Sequence, residues 1–146
     1  MGTEAVQTRI TGISSVDLSA KQFYFVKCAA TTDKYGTDVT TIAAATDTPL
    51  GIVQDAQKAG DEVAICIAGV SKCVVGAGGI VAGDLLTIDS GGKVITAPPS
   101  TLSDVSSAID TTSGTDIGDW IVGIALYTHA ASDVGTILLR FAGRVL

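Results

Sequence analysis

The chain has 146 residues and a mass of 14.7 kDa, one domain's worth of sequence, and 47% hydrophobic against 16% charged residues exclude a chain disordered by composition. Mean hydropathy is +0.46, yet the apolar stretches from Cys73 to Gly83 and from Trp120 to Ser132 fall short of the roughly 20 residues that span a bilayer, so no transmembrane helix is expected. A net charge of -6 and a pI near 4.4 exclude the cluster of Lys and Arg that a nucleic-acid partner requires.

Thirteen of the acids are Asp and two are Glu, and 17 Gly accompany them. Asp and Gly are turn residues, whereas Glu favours helices, so the composition predicts short strands joined by tight turns. The expected fold is mostly β, a single compact β-barrel or β-sandwich domain with an extended N-terminal arm. The arm is residues 1–20, where Ile10, Ile13, Val16 and Leu18 stand isolated among Thr and Ser, too sparse for a core helix. It has no continuous apolar run, so no secretory signal is read there. The folded body is residues 21–146.

Phe23-Tyr24-Phe25-Val26-Lys27-Cys28 is aromatic and β-branched and predicts the first strand of that body. Further strands follow at Val39 to Ala43, Leu50 to Val53, Glu62 to Ala68, Val70 to Val75 and Leu85 to Ile88. Asp89-Ser90-Gly91-Gly92 predicts a hairpin turn, with Lys93 to Thr96 as its return strand. Pro98 to Gly118 is rich in Pro, Ser, Thr and Asp and predicts a long loop, with Thr101 and Asp104 suited to cap a helical turn or two. Asp119 to Tyr127 and Val134 to Phe141 close the chain as two strands. A repeat is visible: Gly51-Ile52-Val53 followed by Val63, Ile65, Ile67 and Ala68-Gly69 is echoed by Gly123-Ile124-Ala125 followed by Ile137, Leu139, Phe141 and Ala142-Gly143, a second copy two residues longer.

Catalytic apparatus is absent from this pattern. Gly76-Ala77-Gly78-Gly79 follows a strand, as in a dinucleotide turn, but Gly83-Asp84 interrupts the segment where a helix would have to start, so a glycine-rich turn is expected. Asp61, Asp84, Asp89 and Asp119 stand beside Gly or Ser as turn caps do, and no stretch has the spacing of a calcium loop. The single histidine, His129, allows neither a histidine metal site nor a triad and is expected on a surface loop. Cys28, Cys66 and Cys73 form no disulfide framework. A two-residue turn at Gly69-Val70 would set Cys66 opposite Cys73, and the favoured alternative is buried small hydrophobes in a reducing compartment. No metal or cofactor is expected.

The order of several modest motifs carries a resemblance. Asp17-Leu18-Ser19-Ala20-Lys21-Gln22-Phe23, Gly51-Ile52-Val53, Ala59-Gly60-Asp61-Glu62-Val63, Ala82-Gly83-Asp84-Leu85 and Val122-Gly123-Ile124-Ala125 together resemble the capsid decoration, or cement, proteins of tailed phages. The segment from 98 to 118 departs from the shorter link of that pattern. The resemblance implies a non-enzymatic structural virion protein, made in the host cytoplasm and placed on the capsid exterior. There it would bind the major capsid protein, bridge coat subunits and associate with copies of itself as a homo-oligomer, a trimer among the states, without membrane or direct nucleic-acid contact. The alternative is a stand-alone β-module for a carbohydrate or host-surface receptor. On the first reading Arg9, Ile10, Ile13 and Val16 are the capsid-binding residues, because an extended arm can add a strand to a coat subunit or a sister copy. Equally weighted are a first strand of the protein's own barrel and a frayed tail.

Overall fold

Runs of β-branched and aromatic residues between Gly- and Asp-containing turns dictate strands. The computed structural model describes residues 6–30, 37–98 and 120–144 and has nine strands and no helix among them. They are β1 (Gln7–Ser14), β2 (Phe25–Cys28), β3 (Asp38–Thr41), β4 (Gly51–Val53), β5 (Glu62–Val74), β6 (Leu85–Ile88), β7 (Val94–Thr96), β8 (Trp120–Ala125) and β9 (Val134–Arg144). All belong to one mixed sheet in the order β1-β3-β2-β4-β5-β9-β8-β6-β7, with β1 also paired to β5. The compact β domain expected from composition is therefore present, as one sheet folded back on itself.

The pairing closes twice. From β1 it passes through β3, β2 and β4 to β5, and β5 returns to β1. From β5 it passes again through β9, β8 and β6 to β7, which returns to the end of β5 by the parallel bridge Val75–Val94. These two units share β5, and their registers match pair for pair. Ile52–Cys66 and Val53–Ile65 in the first become Ile124–Leu138 and Ala125–Ile137 in the second, every partner displaced by 72 residues. Arg9–Cys66 through Ile13–Glu62 become Val70–Leu138 through Val74–Val134. Phe25–Ile52 becomes Leu85–Ile124. The sequence repeat is thus real, and its alignment is corrected: Ile137 answers to Ile65, not to Val63, and these paired strands need no insertion.

Turns repeat as well. Tyr24 N donates to Lys21 O at 3.1 Å and Asp84 N to Val81 O at 3.0 Å. The left-handed position of that turn is Gly83 (φ 92°) in the second unit and Phe23 (φ 65°) in the first. The turn before β5 has Gly60 (φ 88°), and the one before β9 has Ser132 (φ 71°). Each non-glycine residue in this region therefore stands where the other unit uses glycine, at a local cost of about 1–2 kcal/mol that the shared architecture offsets. Phe23 consequently belongs to a turn, and β2 begins two residues later than expected.

Successive side chains of a strand face opposite ways, so strands covered on both sides can bury neighbouring residues. In β2, β4 and β5 they do: Val26, Val53 and Ile65 join Leu18, Val39 and Val63 inside the first unit, whereas Phe25, Ile52 and Cys66 face the second. The second unit's interior holds Ile80, Leu86, Val94, Ala125 and Ile137, the counterparts of Leu18, Val26, Val39, Val53 and Ile65. Along β5 the inward phase shifts near Gly69 (φ 99°), where β1 pairing skips Ile67, so that Cys66 and Cys73 both reach the same core. No hairpin forms at Gly69-Val70, because β5 runs through it, and all three cysteines are free.

Residues 7–14 are extended, as expected, but lie along β5 as strand β1 of the protein's own sheet, and Leu18 is fully buried. The Asp89 turn forms between β6 and β7. Only Gly92 has positive φ, and Gly92 N donates to Asp89 O, the pattern of a three-residue loop in place of the expected primed turn. Asp89 Oδ1 accepts from Gly91 N and Lys93 N. Asp84 Oδ2 accepts from Val81 N and Thr96 Oγ1, contacts that hold its carboxyl below the usual range. The Gly76–Gly79 segment is a turn, with Gly78 and Gly79 at positive φ. The expected loop from 98 to 118, its capping pair and Asp119 lie outside the described residues, apart from Pro98.

A Cβ at Gly51 would stand 2.4 Å from Cys66 O, and one at Gly123 would stand 2.3 Å from Leu138 O. Both repeated glycines thus let adjacent strands approach. Gly51→Ala and Gly123→Ala are each expected to lower stability by about 3 kcal/mol in urea denaturation, because backbone must part. Gly60→Ala, with open space around its Cβ, should cost only about 1 kcal/mol from its backbone angle. Equal small losses at all three positions would contradict the packing argument.

Candidate surface for macromolecular contact

On the outer face where the units join, a groove of about 670 Å³ brings together Gln7 and Arg9 of β1, Val70 and Lys72 of β5, Thr136 of β9, and the connecting residues Phe23, Gln54, Leu126 and Tyr127. The repeat explains this gathering. Arg9 and Val70 are counterparts, as are Thr11 and Lys72 by their pairing. A junction between like units is a common place for a binding surface.

Hydrogen bonds stiffen the floor. Gln7 Nε2 donates to Val70 O at 2.7 Å, and Arg9 Nε donates to Gln7 Oε1 at 2.7 Å, which ties the guanidinium to the groove lining. Gln54 Nε2 bridges Ile52 O and Ser71 Oγ, both at 3.0 Å. Lys72 Nζ stands 5.8 Å from the centre of the Phe23 ring, so the strained Phe23 turn also steadies a cation. No acidic residue is among the described lining residues, although the chain is acidic overall. Tyr127 is 62% exposed, with its ring edge-on to His129 at 6.5 Å. This arrangement offers two positive charges, amide groups and an exposed aromatic, which suits recognition of a polar or anionic surface.

From the groove an apolar row crosses the sheet. Val70 pairs with Leu138, Leu138 with Ile124, and Ile124 with Leu85, so four strands contribute one side chain each to the same outer face. Leu85 is 52% exposed, and the other three are half-buried.

Of the residues expected to bind a capsid, Arg9 is exposed and lines the groove, whereas Ile10 and Val16 pack against the first unit's core and Ile13 is half-buried. The structure thus gathers one of the four at this surface and packs Ile10 and Val16 against the protein's own core. Sequence reasoning missed Lys72, Gln54, Tyr127 and the Leu85 row. The repeat held the signal for the row, since Leu85, Ile124 and Leu138 answer to the core residues Phe25, Ile52 and Cys66. His129 lies in the connection between β8 and β9, half-buried, and accepts from Thr136 N at 3.3 Å. Among the described residues, no three His, Cys, Asp or Glu side chains form a metal-binding group, and no helix is long and apolar enough to cross a membrane.

No protein-family model matches the chain, and no curated protein matches it. A solved structure does: the head fiber gp8.5 N base of bacteriophage phi29, 14% identical, aligns over 97% of this chain and 99% of its own with a TM-score of 0.61. At this identity the likeness establishes a shared fold, and its coverage extends over both units.

Burial also sets thiol reactivity. Cys66 and Cys73 are fully buried, desolvation pushes both thiols up, Cys73 to about 12, and Cys28 is exposed. The thiolate is the reactive form, so at about pH 8 an aromatic disulfide reagent is expected to modify Cys28 alone in the native protein and all three cysteines after unfolding. Rapid native modification of Cys73 would contradict the described core.

Proposed function

We propose that this chain is a non-enzymatic structural protein of a tailed-phage virion, seated on the capsid exterior, where it binds the major capsid protein and bridges coat subunits. The observation that carries the reading is the alignment of nearly the whole body, both units included, with a protein whose name places it in a phage head fiber. Motif order across residues 17 to 126 supports the same class. The physical design is compatible: a doubly closed sheet gives a rigid body, and the groove gives a contact surface that needs no reaction. We assign the coat contact to the groove, with Arg9 and Lys72 meeting an acidic or carbonyl-rich coat surface and Tyr127 supplying apolar area. Exposed Tyr127 beside Gln54 and Thr136 also favours a second reading, a carbohydrate on a host surface.

Co-sedimentation with phage heads that lack this protein tests the proposal. Saturable binding is expected, and the double substitution Arg9→Glu with Lys72→Glu should weaken it by about tenfold or more, mostly through faster dissociation if the charges are desolvated in the contact. Absence of wild-type binding would overturn the virion reading. Binding unaffected by the double substitution would overturn the groove assignment, and saturable glycan binding without head binding would favour the second reading.

A further inference from the structure

The two units carry the same outer row, and in the first the cover is visible. Phe25, Ile52 and Cys66 form a buried row across β2, β4 and β5. The second unit places Val75, Leu86, Val94 and Ile137 in one cluster with them, and its β6–β7 turn brings in Gly92 O, which accepts from Phe25 N at 2.8 Å. The cover of such a row is therefore aliphatic side chains together with one main-chain carbonyl.

Leu85, Ile124 and Leu138 hold the same pairing positions in the second unit, where Leu85 is 52% exposed and the other two are half-buried. The donor is repeated as well. Ala125 N donates to Asp84 O, so the next N–H, that of Leu85, points away from β8, just as the bond from Val53 N to Tyr24 O turns Phe25 N away from β4. Among the described residues no turn or loop carbonyl takes Leu85 N. An aliphatic row that ends in such an N–H calls for both chemistries from one occupant. A second copy does not supply them by repeating the internal junction: Ser14, Val26, Val39 and Ile65, the counterparts of the four covering residues, are buried in the first unit's own core.

The row is continuous with the groove, because Val70 lines the groove and pairs with Leu138. One partner surface can thus meet Arg9 and Lys72 and go on along the row. We infer that the coat protein lays a polypeptide loop on Leu138, Ile124 and Leu85, with aliphatic side chains against the row and a main-chain carbonyl accepting from Leu85 N. The inference rests on the groove as the coat contact and names the coat element that fits beside it: an apolar loop with an unpaired carbonyl, next to the acidic or carbonyl-rich surface that faces the two cations. Main-chain bonding at the end of the row would fix the register of that loop, and the aliphatic contact would exclude water.

Thiol labelling at the row, with and without phage heads that lack this protein, reads the outcome. In a Cys28→Ser background, Leu85→Cys should react rapidly in the free chain at every concentration and at least tenfold more slowly when the chain is bound to heads. Slow labelling in the free chain would show that its own chain or a second copy already covers the row, and would overturn the inference. Equally fast labelling on saturated heads would overturn it too. Leu85→Asp, a change at an exposed position, is expected to keep the wild-type urea midpoint and to weaken head binding at least tenfold, and wild-type affinity in that variant would count against the row. These results leave the coat reading standing, whereas a wild type that does not sediment with heads overturns that reading and the inference with it.

Discussion

Strand β5 is the constraint on which the rest depends. Its first half supplies the last strand of one closed circuit and its second half the first strand of the next. A short strand could serve only one of these circuits, so its 13 residues are a requirement of the topology. The change of phase near Gly69 matters equally. Strict alternation would turn Cys66 and Cys73 to opposite faces, and the extra residue in β5 brings both into the larger core. Gly69 also permits Val6 O to approach to 2.1 Å from where a Cβ would stand, which lets β1 start alongside the junction.

Divergence between the units is local and compensated. Gly12 faces Val63 across β1 and β5, and at the matching position Cys73 faces Gly135 across β5 and β9. Each pair keeps one glycine and one larger residue, on opposite strands, so the spacing of the circuit survives the exchange. The strained turns show the same reciprocity, with Phe23 against Gly83 and Ser132 against Gly60. Phe23 has acquired a use that glycine could not serve, since its ring lies beneath Lys72 at the groove. The chief asymmetry is burial: one outer row is core and its counterpart is surface.

Most strands were legible because their signals are local. The aromatic and β-branched run around Phe25, the Gly-Ile-Val of β4 and the Asp-Ser-Gly-Gly turn each declare themselves within a few residues. The role of residues 7–14 was not legible, because Ile10 and Ile13 among polar neighbours suit a strand on any sheet edge, and only long-range pairing with β5 selects the protein's own. Gly69-Val70 was misleading for the opposite reason: a glycine between two apolar runs suits a hairpin turn or a bulge, and tertiary contacts on both edges of β5 choose the bulge. The groove was invisible from local patterns because Arg9, Gln54, Lys72 and Tyr127 meet only through the shared strand. The uncovered row follows from the repeat only with the register that the structure supplies.

Native-state hydrogen exchange along β5 tests the shared-strand account most directly. If β5 couples the two circuits into one cooperative body, slowly exchanging amides before and after Gly69, such as those of Ile65 and Cys73, should report the same opening free energy. That value should equal the free energy of global unfolding and fall in parallel with added denaturant. Distinct free energies for the two halves, with one circuit opening while the other stays protected, would contradict it.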